Sequence, residues 1–307
     1  MSSTKLMMKK IALAILCTLA LTFTMSAKNR ALLIGVGGYN TAATGWGQIS
    51  SVNDINLLKP KFVALGYEVT SLTDAEATKA KVVSALKTLS GKTVAGDNIY
   101  LHFSGHGQLI EDMNGDEFAD YDQSFVCFDA CLSSDFKSGG RAYRGQNHLI
   151  DDELFPILST LKQKVGSNGS VMVVFDSCYS GGADRGEQDD DPDPDSEVEW
   201  SDTVRGTGDE FKANASADTY LRKLKVPGEY AKGGGTLTVI SACEADKRNY
   251  ECRDKRSGKA YGSLSYAISK LIDTKVPMSE WGNYFSTRKY VKDRIFRRTQ
   301  RPVVEIH

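Results

Sequence analysis

A run of apolar residues that ends at a cysteine constrains the fold of this chain more than any other stretch. Val171–Phe175 is mostly β-branched, as is typical of a strand buried on both faces of a parallel sheet. Asp176, Ser177 and Cys178 follow at once, and a Ser-Gly-Gly turn lies at 180–182. Open α/β sheets place their ligand crevices at the carboxyl ends of strands. Cys178 is therefore the candidate nucleophile.

A second apolar strand supplies the histidine that a reactive thiol needs. Asn98–Phe103 has the same buried-strand pattern and runs into Ser104-Gly105-His106-Gly107. Because the carboxyl ends of parallel neighbours meet at one edge of a sheet, His106 and Cys178 should lie close enough to act together. A small buried thiol is the alternative for Cys178 alone. The histidine motif at an equivalent strand end favours catalysis.

These two motifs carry a family resemblance. HFSGHG at 102–107 and DSCYSG at 176–181 resemble the signature motifs of metacaspases, within the wider caspase-like peptidases, and the similarity extends from Asn29 to about Ile272. The sequence around Cys178 differs from the Gln-Ala-Cys-Arg-Gly signature of caspases, which favours the metacaspase branch. The resemblance implies a three-layer α/β/α sandwich with a mostly parallel central sheet. It also implies a cysteine endopeptidase that cleaves after Arg or Lys, and we expect this one to be bacterial and exported.

The order of elements agrees with that fold. Strand and helix patterns alternate along the first part of the chain, which predicts a parallel sheet with helices on both faces. The predicted elements are Asn29–Val36, Ser51–Leu65, Tyr67–Leu72, Lys79–Leu89 and Asn98–Phe103. Glycines follow the first strand without a Gly-x-Gly-x-x-Gly pattern, so no dinucleotide site is expected there.

The chain divides into four predicted segments. Residues 1–27 have a basic start, a short apolar run and a small-residue end, which is typical of a secretory signal peptide; an uncleaved anchor is the alternative. We therefore expect a periplasmic, cell-surface or secreted protein with no stable membrane span after signal removal. Residues 28–183 would form the large-subunit-like part with the Cys/His dyad, and 235–307 a small-subunit-like part that completes the sheet.

Residues 184–234 are predicted to be an acidic, mobile linker between those parts. Ten of the nineteen residues in 184–202 are Asp or Glu, and such a segment buries too little apolar surface to order itself. In caspase-like enzymes this linker is often cut during maturation. Arg185, Arg205 and Lys212 are the candidate self-processing sites.

The resemblance assigns roles to the dyad. Cys178 would attack the scissile carbonyl, while His106 would protonate the leaving amine and then activate water. The backbone N–H groups of Gly107 and Cys178 would be the oxyanion donors. No third catalytic residue is evident, and this chemistry requires no cofactor.

A basic P1 side chain is expected because acids border the nucleophile. Asp176 stands two residues before Cys178, and the resemblance adds Asp54 as its companion, with Ser104 in the same pocket. Two close carboxylates favour a cation between them. The alternatives are that Asp54 is a solvated acid in the first turn of a helix and that Asp176 accepts backbone N–H groups of its own loop.

A calcium site is implied by the same resemblance. Its ligands would be Asp122, the pair Asp151-Asp152 and, less securely aligned, Asp184. Carboxylates that converge from separate loops suit Ca²⁺. Alternatively, Asp151 and Asp152 are only the N-terminal acids of the helix that follows.

Overall composition gives no sign of nucleic-acid or lipid partners. The formal net charge is -1 and 41% of residues are hydrophobic. A basic segment at Arg288–Arg301 is predicted to be a solvated helix face. The partners expected are proteins or peptides with Arg or Lys at P1.

Two questions stay open at the sequence level. Cys127, Cys131, Cys243 and Cys252 could form disulfides, of which 127/131 and 243/252 are one option. The rivals to a metacaspase-like peptidase are a catalytically silent caspase-like scaffold that binds a partner, a clostripain-, gingipain- or legumain-like peptidase, and a transpeptidase.

Overall fold

The computed structural model describes the chain from residue 27 onward with internal gaps. The described residues are 27–112, 114–115, 121–178, 196–208, 210–211, 230, 232–244, 247–297 and 299–307. Residues 1–26 of the predicted signal peptide lie outside this range, as do Asp184, Arg185 and Lys212. Among the described residues, no helix is both long enough and apolar enough to cross a membrane.

The strands and helices follow the alternation expected from the sequence. The strands are β1 (Asn29–Gly35), β2 (Glu68–Thr73), β3 (Asn98–Ser104), β4 (Gly107–Glu111), β5 (Tyr121–Val126), β6 (Lys137–Ser138), β7 (Arg141–Ala142), β8 (His148–Ile150), β9 (Ser170–Asp176), β10 (Val198–Val204), β11 (Thr236–Ser241), β12 (Tyr250–Asp254), β13 (Ala260–Gly262) and β14 (Val303–Ile306). The α-helices are α1 (Thr41–Thr44), α2 (Ser51–Ala64), α3 (Lys79–Lys92), α4 (Asp151–Val165), α5 (Ser263–Asp273) and α6 (Trp281–Ser286).

The central sheet has the order β14-β11-β9-β3-β1-β2 within the described residues. β14 is antiparallel to β11, and the other strands are parallel to their neighbours. Alternate residues of each strand face opposite sides of a sheet. In β9, Val173 accordingly packs in a buried cluster with α3 and α4, whereas Val174 packs in another with α2, α5 and α6. The result is the predicted three-layer α/β/α sandwich with a mostly parallel central sheet.

Two smaller antiparallel sheets position the site. One has the order β4-β5-β8 and continues from the end of β3; the other has the order β10-β12-β13. β10 lies inside the segment 184–234, so the prediction of a mobile linker is wrong for Val198–Val204. Its order comes from pairing with β12, in which Trp200 is opposite Cys252 and Val204 is opposite Tyr250.

The predicted helix over Arg288–Arg301 is also different in the structure. Among the described residues of this segment, only Lys289–Asp293 is helical, as a short 3₁₀ turn. Arg288 and Arg294 on either side of it have left-handed backbone angles, with φ of 57° and 53°. Non-glycine residues adopt such angles only locally, so a regular helix cannot continue through them.

Candidate active site

The sheet register brings the two sequence motifs to one edge. Ser104 at the end of β3 is paired with Asp176 at the end of β9. His106 and Cys178 each follow two residues later. Parallel pairing of the two strands thus carries both side chains past the same edge, as the sequence predicts.

His106 is held by a backbone carbonyl. Its Nε2 lies 2.9 Å from the carbonyl oxygen of Gly47, and because a carbonyl only accepts, Nε2 carries the proton. The ring stacks on Trp46, with centroids 4.9 Å apart. Nδ1 is buried and has no hydrogen-bond partner among the described residues. Burial lowers the pKa of His106 to about 4, so its imidazole is neutral with Nδ1 available as a base at neutral pH.

The backbone N–H groups that were predicted as oxyanion donors converge on one carbonyl oxygen. The Cys178 N–H donates to the carbonyl of Arg205 at 2.9 Å, and the Gly107 N–H donates to the same oxygen at 3.3 Å. The Cys178 thiol donates to the carbonyl of Lys247, with the two atoms 2.9 Å apart. The Arg205-Gly206 peptide therefore lies at the candidate nucleophile.

The side chain of Arg205 fills the predicted P1 pocket. It is fully buried, and its Nη1 donates to Asp54 Oδ2 and to Ser104 Oγ, each at 2.7 Å. Its Nη2 donates to Glu251 Oε1 at 3.0 Å and to Ser50 Oγ at 3.3 Å. Asp54 and Ser104 were predicted for this pocket; Glu251 and Ser50 were not.

Asp176 has a more distant place in the pocket than the sequence suggests. Its Oδ2 is 3.8 Å from Arg205 Nη1 and accepts from both the backbone N–H and the hydroxyl of Ser265. Its Oδ1 accepts from Asn249 Nδ2 at 2.8 Å. Asp176 thus combines an ionic contribution with a structural role, but its partners are Ser265 and Asn249 and not the backbone N–H groups of its own loop. Gly262 makes room here, because a Cβ would lie 2.1 Å from Asp176 Oδ2 and 2.5 Å from Arg205 Nη1.

Burial controls the charges in this pocket. Burial, together with the charge of Asp176, raises the pKa of Asp54 to about 7 against the lowering effect of the Arg205 guanidinium. The three acids around Arg205 hold the pKa of its guanidinium above the ordinary value despite burial. An empty pocket would hold crowded carboxylates, so a cation is its favoured occupant.

The predicted calcium ligands that the structure describes lie together. Asp122 on β5 and Asp151 and Asp152 at the start of α4 each offer an oxygen atom, and these atoms all lie within 4.8 Å of one another. Asp152 Oδ2 also accepts a hydrogen bond from Asn114 Nδ2. An all-oxygen, anionic donor set of this kind fits a hard divalent cation such as Ca²⁺.

The five cysteines beyond the signal segment are buried, and none of them forms a disulfide within the described residues. Neither of the local disulfide pairs considered from the sequence is formed. Cys243 shares a partner with Cys178, because its thiol also donates to the carbonyl of Lys247, at 3.3 Å.

Comparison with known proteins identifies the family of the chain. A family model described as caspase domain (Peptidase_C14) matches residues 28–307. Metacaspase-1A of Aspergillus niger is 28% identical over 165 residues, covering 52% of this chain and 37% of that protein. Metacaspase-1 of Schizosaccharomyces pombe is 29% identical over 167 residues, covering 52% and 36%. The matched region spans little more than a third of these relatives.

The fold has a solved counterpart as well. A crystal structure of a protein from Geobacter sulfurreducens aligns with a TM-score of 0.60 at 20% identity, over 91% of this chain and 93% of that chain. This likeness concerns the fold, and it agrees with the α/β/α sandwich described above. The family and fold class predicted from the two motifs are confirmed. The chain is a metacaspase-like member of the caspase-domain family of cysteine peptidases.

Proposed function

We propose that this chain is a cysteine endopeptidase that cleaves after basic residues and that its own Arg205-Gly206 bond is a substrate. One observation carries the proposal: the Arg205 carbonyl accepts from both candidate oxyanion donors while its guanidinium occupies the acidic pocket. Three separate requirements of peptide cleavage thus meet at one residue, namely a bound side chain, a polarised carbonyl and an adjacent thiol.

Acyl transfer would proceed with the residues in these positions. The Cys178 thiol gives its proton to His106 Nδ1, and its sulfur attacks the carbonyl carbon of Arg205. The developing oxyanion is stabilised by the N–H groups of Gly107 and Cys178; losing one such donor typically costs about 10²–10³ in rate. The bond to Gly206 breaks as His106 protonates the departing nitrogen, and His106 then activates a water that releases the acyl group.

External substrates would bind by β-strand addition. β10 is antiparallel to β12, and the Arg205 N–H donates to the Asn249 carbonyl at 2.9 Å. A peptide with Arg or Lys at P1 would form the same main-chain bonds after this strand leaves. Self-cleavage would therefore free the groove for an external substrate.

The other candidate self-processing sites, Arg185 and Lys212, lie outside the described residues and stay predictions, as does export.

We further propose calcium binding at Asp122, Asp151 and Asp152. When bound, the cation would neutralise the repulsion among these acids and hold β5 against the start of α4. Millimolar Ca²⁺ should raise the melting temperature relative to chelator, and Asp151→Asn should reduce that rise. Glu280→Asn is a control at an exposed acid far along the chain. Equal melting curves in Ca²⁺ and chelator would remove the metal site.

Mass spectrometry of the incubated full chain tests the proposed peptidase. The expected product is a fragment that begins at Gly206, absent in Cys178→Ala and His106→Ala. Arg205→Gln should prevent this cut, whereas the exposed Arg141→Gln on β7 should not. A fluorogenic P1 Arg peptide reports cleavage of external substrate. If folded wild-type protein cuts neither its own chain nor the peptide, the catalytically silent scaffold is the better description.

A further inference from the structure

The residue after Arg205 has no room for a side chain. A Cβ on Gly206 would lie 2.2 Å from the carbonyl oxygen of Cys178, and 3.0 Å from both the carbonyl carbon and the Cβ of Cys178. The closest of these atoms is a backbone atom, so rotation of a side chain cannot relieve the overlap. Only a shift of one of the two backbones could admit even a methyl group.

The role of Cys178 in the proposed reaction limits how far its backbone can move. Its N–H donates to the Arg205 carbonyl at 2.9 Å. Cys178 lies two residues after the end of β9, which lies between β3 and β11 in the central sheet. Withdrawing Cys178 from Gly206 would therefore move an oxyanion donor and the nucleophile away from the carbonyl that they serve.

The Arg205-Gly206 backbone is also held in place. The Arg205 N–H donates to the Asn249 carbonyl at 2.9 Å, and its guanidinium is held in the acidic pocket. Gly206 forms a β-bridge with Gly107, the other oxyanion donor. Displacing Gly206 would thus disturb the binding of the P1 residue.

We propose that the subsite for the residue after the cleaved bond accepts only glycine, so that the substrates of this enzyme are protein segments with an Arg-Gly junction. This rests on the proposed peptidase function and narrows its substrate class. An alanine at P1′ would push the scissile carbonyl out of line with the Gly107 and Cys178 donors. A misplacement of about 1 Å typically costs about 10²-fold in rate.

Two peptides that differ only in P1′ Gly or Ala test the subsite directly. With wild-type enzyme, kcat/KM should be at least about 100-fold lower for Arg-Ala than for Arg-Gly. Equal values would overturn the glycine requirement while leaving cleavage after Arg intact. In the full chain, Gly206→Ala should slow self-cleavage by a similar factor. Gly91→Ala should behave as wild type, because its added Cβ would lie within 4 Å of no described atom outside its own stretch of helix.

A second measurement does not depend on catalysis. In a Cys178→Ala chain, the fully buried Arg205 should resist brief trypsin treatment. Adding Gly206→Ala retains the overlap with the backbone at 178 and should expose Arg205 to trypsin, whereas adding Gly91→Ala should not. Circular dichroism would verify that each variant is folded. If Arg205 still resists trypsin in the Cys178→Ala, Gly206→Ala chain, a methyl group fits at position 206. That result would overturn the proposal even where no peptide is cleaved.

Discussion

At the scale of single residues, the Arg205 guanidinium is bound at both of its ends. Nη1 contacts Asp54 and Nη2 contacts Glu251, and Glu251 is itself oriented by the backbone N–H of Ser50 at 2.7 Å and its hydroxyl at 2.6 Å. A guanidinium presents its donors in a rigid fork, whereas a lysine ammonium is one compact charge. A lysine at P1 cannot hold this fork geometry, so the pocket should favour arginine.

Glu251→Gln should therefore weaken cleavage after arginine more than cleavage after lysine. A hydrogen bond to a charged group contributes roughly 1.5–3 kcal/mol, so kcat/KM for a P1 Arg peptide should fall about tenfold or more. kcat/KM for the matching P1 Lys peptide should fall less, so the ratio of the Arg to the Lys kcat/KM should decrease. Glu280→Gln at an exposed acid is the matched control. Equal losses for both peptides would show that Glu251 does not distinguish the two side chains.

The raised pKa of Asp54 predicts a pH dependence of substrate binding. That pKa is about 7 with the guanidinium present, and it would be higher in an empty pocket because the Arg205 charge lowers it. As pH falls from about 8 to about 6, more of Asp54 becomes protonated and the pocket loses negative charge.

KM for a P1 Arg peptide should accordingly rise as pH falls through this range. His106, with a pKa of about 4, stays neutral there and does not account for the change. In Asp54→Asn, binding should be weak but nearly independent of pH. A wild-type KM that is flat between about pH 6 and pH 8 would contradict the assignment.

At the scale of secondary-structure elements, the sequence predicts best the strands whose residues are buried along their whole length. Continuous apolar runs identified β3 and β9, and parallel pairing then brought His106 and Cys178 past the same edge of the sheet. β10 was missed because its acidic surroundings suggested mobility, whereas its order depends on β12, which comes about fifty residues later in the chain. The residues of β10 alone have no periodic pattern that would predict its pairing with a strand so far along the chain.

The site residues that the sequence did not predict were missed for similar reasons. Glu251 binds Ser50 across 201 residues of sequence, so neither residue carries a local sign of its role. Gly47 orients His106 through a backbone carbonyl, an atom that every residue type possesses. Asp54 was found only through the family resemblance, and Asp176 was given too direct a role because its partner Ser265 comes from a distant helix.

At the scale of the whole molecule, cleavage at Arg205-Gly206 cuts a connection without dividing the core. β9, before the cut, is paired in parallel with β11, after it, from Thr236 opposite Ser170 to Ser241 opposite Phe175. On the face covered by α2, Leu58 shares one buried cluster with Leu264 and Ile268 of α5. Separating the two fragments would expose this apolar surface and break the sheet in its interior.

The two fragments should therefore remain together after self-cleavage. Size-exclusion chromatography with light scattering should give the cut protein the same native mass as the uncut Arg205→Gln variant. A denaturing gel of the same fractions should show two fragments for the first and one chain for the second. Fragments that separate without denaturant would show that the linker, and not the shared sheet and core, holds the two parts in place.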